Sequence, residues 1–90
     1  MILWHENKRQ INLRKHGIDL ADLESVFDQP MLTVEDQRAS YGELRLQSLG
    51  LWQSKVVFLV WTERDDHAHL ISCRYADRQE TKAYFARVQR

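Results

Sequence analysis

Within residues 55–62 the run Val56-Val57-Phe58-Leu59-Val60-Trp61 is apolar at every position, so an extended strand built from it cannot turn either side to water. β-branched and aromatic residues dominate it, and turn signals flank it at Leu51-Trp52-Gln53 and at Glu63-Arg64-Asp65-Asp66-His67. A strand over 55–62 must therefore lie inside a sheet with both faces covered. A chain of 90 residues buries only about 60 to 65% of its unfolded surface. That leaves no material for a second core, and residues 1–90 read as one domain.

The flanking segments supply the cover. Trp4, Lys8, Ile11, Asn12 and Lys15 follow the i, i+4, i+7 spacing of one helical face, which predicts a helix over 5–15 closed by Gly17. Asp19 then reads as the N-cap of a second helix, with Ile18 stapled onto Leu23. Leu20, Leu23, Val26 and Phe27 form its apolar face, and Pro30 ends it. Beyond Pro30 the period becomes strand-like. A weak strand is expected over 31–36, a loop over 36–42, and a strand over 43–49 with Leu44 and Leu46 opposite Glu43, Arg45 and Gln47. The central strand and another over 68–75 follow, joined by short hairpin connections. Asp77 to Glu80 is a capping-box pattern opening a last helix, in which Thr81, Tyr84, Phe85 and Val88 share an arc of about 100°. The expected fold is α+β: two N-terminal helices, a three- to four-stranded antiparallel sheet and a C-terminal helix.

Thirteen basic residues balance thirteen acidic ones, so there is no global charge excess to attract nucleic acid. The distribution is uneven. Residues 1–17 carry Lys8, Arg9, Arg14 and Lys15 against Glu6 alone, and residues 74–90 carry five basic residues against Asp77 and Glu80. Between them, residues 18–36 carry six acids and no base. Brought together by the fold, the two basic stretches would make a local phosphate-attracting surface. The longest apolar run is far below the roughly 20 residues of a membrane-spanning helix. Met1-Ile2-Leu3-Trp4 lacks the basic start of a secretory signal, and the single cysteine, Cys73, cannot form an internal disulfide. These features set the expectation of a cytoplasmic protein.

Several chemistries lack their residues. His5, His16, His67, His69 and Cys73 include no paired ligand spacing that completes a zinc set, so no metal is expected. Three glycines form no phosphate-binding pattern, and no cofactor is expected. Strand alternation places Cys73 with Ile71 and Tyr75 on an apolar side, as a buried structural thiol. Ser72 and Arg74 take the other side. There Arg74, Arg78, Glu80 and Tyr84 can converge near one sheet edge, offering guanidinium donors, a carboxylate and a phenol suited to phosphate chemistry. The same residues also suit an ordinary strand-to-helix junction with solvated charges. Lys15-His16-Gly17 joins a cation and a titratable ring at a helix end, where basic residues favour the macrodipole regardless of function. Arg64 sits between Glu63 and Asp65, where a surface ion pair is the default.

Taken together, Trp4, Lys8, Asn12 and Lys15-His16-Gly17, then Ala21, Val26-Phe27, Asp36, Gly42-Glu43-Leu44-Arg45, Thr62-Glu63-Arg64, Ile71-Ser72-Cys73-Arg74, Ala76, Glu80 and Tyr84 form an ordered series. In that series the chain resembles the BrnT family of ribonuclease toxins from type II toxin-antitoxin modules, which have a RelE-like fold. Two departures stand out: His5 replaces a usual acidic residue, and Cys73 replaces a usual alanine.

The resemblance implies metal-independent endoribonuclease cleavage of messenger RNA and inhibition of translation, by attack of a ribose 2′-hydroxyl on the adjacent phosphate. Such a step needs stabilisation of charge on phosphorus and two proton transfers. Arginine meets the first need and not the second. Arg64 and Arg74 are therefore expected to stabilise the transition state, and Lys8, Lys15, Arg45 and Arg78 to bind RNA. His16, Glu80 and Tyr84 are the expected proton-transfer groups. The implied partner is a BrnA-type antitoxin with a ribbon-helix-helix DNA-binding region, which contacts operator DNA and covers the basic face of the toxin. Trp52 is either an exposed anchor for it or an aromatic folded back on the sheet. The competing expectation is a non-catalytic adaptor that binds protein or nucleic acid without cleavage.

Overall fold

A computed structural model describes residues 1–40 and 42–88. Tyr41, from the loop expected over 36–42, and Gln89 and Arg90, from the basic C-terminal stretch, lie outside the described residues. The strands are Ile2–Trp4 (β1), Leu32–Glu35 (β2), Leu46–Trp52 (β3), Lys55–Arg64 (β4) and His67–Tyr75 (β5), and the α-helices are Glu6–His16 (α1) and Arg78–Val88 (α2). The expected α+β class holds, and the doubly apolar segment is the middle strand of a five-stranded sheet ordered β1-β5-β4-β3-β2. Among the described residues no helix is long and apolar enough to cross a membrane.

Three expectations are corrected. The sheet has five strands and is mixed, because β1 pairs in parallel with β5 through Ile2, Leu3 and Trp4 against Ala68, His69 and Leu70. Three residues are too few to show a period, and only the distant partner makes them a strand. The second N-terminal helix is instead two 3₁₀ turns, Leu20–Asp22 and Glu24–Asp28. Asp19 does cap it, accepting from the Ala21 N–H at 2.9 Å. Leu20, Leu23 and Val26, all fully buried, are spaced by three, which suits a 3₁₀ turn because i and i+3 eclipse there. The strand expected over 43–49 is shifted to Leu46–Trp52 and runs straight through Gly50. A methyl at Gly50 would lie 2.6 Å from Val26 Cγ1, so glycine is what lets β3 approach the 3₁₀ segment. Leu44 is left exposed outside the strand, and its carbonyl accepts from Thr62 Oγ1 at 2.6 Å.

One face of the sheet carries the core. Val57 and Leu59 of β4 with Leu70 and Cys73 of β5 pack against Ile2, Ile18, Leu20, Leu23 and Val26. Trp52 joins them, 9% exposed, with its indole N–H donated to the Asp22 carbonyl at 3.2 Å. It is folded back, not an exposed anchor. Leu70 and Cys73 share this face despite their odd spacing because the register slips: Val60 faces Ser72 while Trp61 faces Leu70. Ile71 is thus an extra, bulged residue and leaves the apolar side on which alternation had placed it.

Helix α1 lies one residue later than expected at both ends, and Gly17 closes it as expected, left-handed at φ 71° with its N–H bonded to Leu13 O. Its surface is polar, and Asn12 is its one buried residue. The Asn12 amide donates to the carbonyls of Ile18 and Cys73, and its oxygen accepts from the Cys73 N–H, all at 2.9 Å. Arg9 adds a two-pronged bond to Asp19 at 2.8 and 2.9 Å. Helix α2 crosses the second face near β3 and β4, with Tyr84 buried.

Replacing Asn12 by Ala strands the Cys73 N–H and two carbonyls. The Asn12→Ala chain is expected to lose about 3 kcal/mol of stability, measured by urea unfolding. Gly50→Ala is expected to cost about 1 to 3 kcal/mol in the same measurement by forcing Val26 away from β3.

Candidate functional site

The second face of the sheet gathers the charged residues. Past the bulge, Phe58, Val60 and Thr62 of β4 lie in register with Arg74, Ser72 and His69 of β5, and Arg64 with His67. Side chains at these positions share a face. Helix α1 runs along the open edge of β5 where β1 has ended, bringing Lys8, Lys15 and His16 alongside Ile71 and Ser72. Lys8 and Ile71 also line a neighbouring recess of about 60 Å³ with Glu43, Arg45, Thr62, Arg64 and His69. The two depressions share Lys8 and Ile71, and side by side they are treated as one groove along α1.

At one end of this groove Arg64 donates to Glu43 at 2.6 Å, with 52% of the arginine side chain exposed. The bond from Arg64 holds the Glu43 carboxyl below its ordinary range, against burial, and Arg45 and His69 add to the effect. Beyond the His16 end Arg74 forks onto both Glu80 oxygens at 2.9 and 3.0 Å, donates to Tyr75 O, and lies over the Phe58 ring at 4.2 Å. Glu80 accepts from the Asp77 N–H while Asp77 accepts from the Glu80 N–H, both at 2.8 Å, completing the expected capping box. The Arg74 bonds hold the Glu80 carboxyl below its ordinary value although burial pushes the other way. His16 lies close enough to feel Arg74: burial first, then Lys15 and Arg74, push its imidazole below the ordinary histidine value. At neutral pH that favours the uncharged ring.

The two basic stretches thus meet, at Lys15, His16 and Arg74. Arg64 and Arg74, however, do not converge. Seven positions of β5 separate Arg74 from the residue facing Arg64, which at about 3.3 Å per residue puts their backbones roughly 20 Å apart. One phosphate, held by bonds of about 2.8 Å, cannot be shared between them. Arg78 is exposed on the first turn of α2. Tyr84 is not brought to the groove. Its side chain is 1% exposed, its hydroxyl donates to Pro30 O at 2.7 Å, and burial raises its pKa. Cys73 is buried as expected, its thiol pushed up to about 12 by desolvation.

Two groove residues, Glu43 and His69, were missed as site residues by sequence reasoning. Alternation puts Glu43 on a strand's wet face, and the sequence offers His69 only as a metal ligand without a completing partner. Among the described residues no three His, Cys, Asp or Glu side chains gather as a metal-holding group.

Comparison with curated proteins gave no match. The family model described as "Ribonuclease toxin, BrnT, of type II toxin-antitoxin system" matches residues 4–80, from the end of β1 to the Glu80 that clasps Arg74. The chain therefore belongs to the BrnT family of ribonuclease toxins, whose type II systems pair each toxin with a protein antitoxin.

Proposed function

We propose that the chain is a metal-independent endoribonuclease that cleaves messenger RNA in the cytoplasm and arrests translation until a BrnA-type antitoxin, with a ribbon-helix-helix region, covers its charged groove. Operator DNA is reached only through that partner. The observation that carries this reading is the concentration of Lys8, Arg45 and Arg64 about one recess, with Lys15 and His16 about the adjoining one and Arg74 near enough to act on His16, on a chain with no net charge. A single-stranded RNA backbone lying along the groove would meet cations at each end and along the α1 side.

In the proposed reaction the ribose 2′-oxygen bonds to phosphorus, the P–O5′ bond breaks, and the products carry a 2′,3′-cyclic phosphate and a 5′-hydroxyl. Charge builds on the non-bridging oxygens, and a guanidinium poised beside them stabilises it more in the transition state than in the ground state. Arg64 takes that role, because its single bond to Glu43 leaves donors open to solvent. Lys8 and Arg45 hold the adjoining backbone, while Lys15, Arg74 and Arg78 engage flanking phosphates. Of the proton-transfer residues suggested by sequence, Tyr84 is sealed off, and Glu80 has both oxygens engaged by Arg74. Glu80 thus acts as a positioning residue that keeps Arg74 against Phe58. His16 faces the far end of the groove, 8 residues from Lys8 along α1 or about 12 Å.

The adaptor reading draws support from the same two ion pairs, since each arginine already has a carboxylate partner. Antitoxin-free protein incubated with single-stranded RNA in excess chelator separates the readings. Cleavage with cyclic-phosphate ends is expected, and Arg64→Ala is expected to slow it by about 10²- to 10³-fold with an unchanged circular dichroism spectrum. Bound but intact RNA would establish the adaptor. Glu80→Gln is expected to cost about 1 kcal/mol of thermal stability through the weakened cap, while the single-turnover rate stays within about tenfold. A loss of 10²- to 10⁴-fold would instead make Glu80 a proton-transfer group.

A further inference from the structure

We propose that His69 is the residue that takes the proton from the ribose 2′-hydroxyl, and that the scissile phosphate is bound at the Arg64 end of the groove. The inference rests on the ribonuclease reading above and specifies its reaction centre. His69 reaches this face only because of the bulge at Ile71. With unbroken alternation it would share a side with Cys73, in the core. Instead it faces Thr62, which makes Arg64 its diagonal cross-strand neighbour, at a spacing of about 7 to 8 Å that long side chains bridge. Glu43 ties the recess together: it bonds Arg64 at 2.6 Å and lines the same recess as His69. Both residues line the same recess, together with Lys8 and Arg45.

This recess combines what the other end of the groove lacks. Arg64 is solvent-accessible and held by one carboxylate oxygen, whereas Arg74 is committed to Glu80 and Phe58. Imidazole is the side chain whose proton exchange falls nearest neutral pH. As the O2′–P bond forms, the uncharged His69 ring accepts the 2′ proton. The P–O5′ bond breaks and the departing O5′ takes a proton from the solvent that reaches the recess. The imidazolium then returns its proton to that solvent, so no proton is gained or lost overall. Its charge is moderated by Glu43 from the segment before β3. It is opposed by Arg45 of that segment, Lys8 and His5 on the α1 side, Arg64 of β4 and His67 of its own strand.

The test is a single-turnover cleavage series on an RNA oligonucleotide in chelator, over pH 5 to 9 (roughly the window of imidazole titration). His69→Asn is expected to slow cleavage by about 10²- to 10⁴-fold, to abolish the acidic limb of the pH profile and to leave RNA affinity nearly unchanged. Added imidazole is expected to restore part of the rate in His69→Gly. A His69→Asn chain that cleaves within about threefold of the wild-type rate, with the same acidic limb, overturns the assignment while the ribonuclease reading survives. A wild-type chain that leaves the RNA intact overturns both. Should the variants unfold, the unmodified chain still decides: a non-cleavable 2′-O-methyl oligonucleotide is expected to shift the His69 ring resonances in heteronuclear NMR, and unmoved resonances overturn the proposal.

Discussion

A single buried carboxamide sets the geometry of the charged groove. Helix α1 offers no apolar stripe, so burial of hydrocarbon cannot fasten it to the sheet in the way an amphipathic helix is fastened. Strand β5, for its part, is covered by β1 only as far as Leu70, and the edge beyond would otherwise present unpaired backbone groups. Asn12 resolves both problems at once. It bonds the N–H and carbonyl of Cys73 as a further strand would, and it reaches the Ile18 carbonyl at the entry to the 3₁₀ segment. Such bonds are short-ranged and directional, so they specify position more sharply than apolar contact does. Lys8 and Lys15, one turn to either side of Asn12, are therefore held beside Ile71 and Ser72.

The second determinant is the extra residue in β5. Period-two alternation carries a side chain to the opposite face with each step, and one inserted residue reverses the assignment for everything beyond it. Cys73 and Leu70 can then both enter the core, while Ser72, Arg74 and His69 all face the groove. Without the bulge, either the core would lose an apolar residue or the recess would lose its imidazole. The same residue, Ile71, supplies apolar floor to both depressions along α1.

What the sequence revealed and what it hid divide along physical lines. Local chemistry was legible. Gly17 as a left-handed cap, Asp19 as an N-cap, the Asp77 and Glu80 capping box and the doubly apolar β4 each depend on neighbours within a few residues. The misreadings arose where distant contact overrides local pattern. Ile2–Trp4 is a strand only because β5 lies beside it, Gly50 sits within a strand only because Val26 approaches it, and Leu20–Asp28 tightens into 3₁₀ turns under the sheet. In the site, the convergence expected of Arg74, Arg78, Glu80 and Tyr84 reduces to an Arg74–Glu80 pair six residues apart, while the partnership of Arg64 with Glu43, twenty-one residues apart, has no local sign. Tyr84 fell on the core-facing arc of its helix, and that arc, more than its phenol, decided its place.

The contrast between the two arginines bears on how readily each could exchange its carboxylate for a phosphate. Both guanidiniums are paired within the chain, which limits their attraction for adventitious anions, but the pairs differ in how readily phosphate displaces the carboxylate. Arg74 is bound through two parallel bonds to a Glu80 that is itself part of a helix cap, and it is stacked on Phe58. Removing it from Glu80 disturbs three interactions together. Arg64 gives up one bond to a carboxylate at the protein surface, where solvent and salt screen the pair. Exchange of partner is therefore easier at Arg64, and in the proposed reaction a dianionic, pentacoordinate phosphorus group would compete for it better than the singly charged ground state. The Arg74 pair steadies the sheet-to-helix junction, and the Arg64 pair is the more easily exchanged of the two.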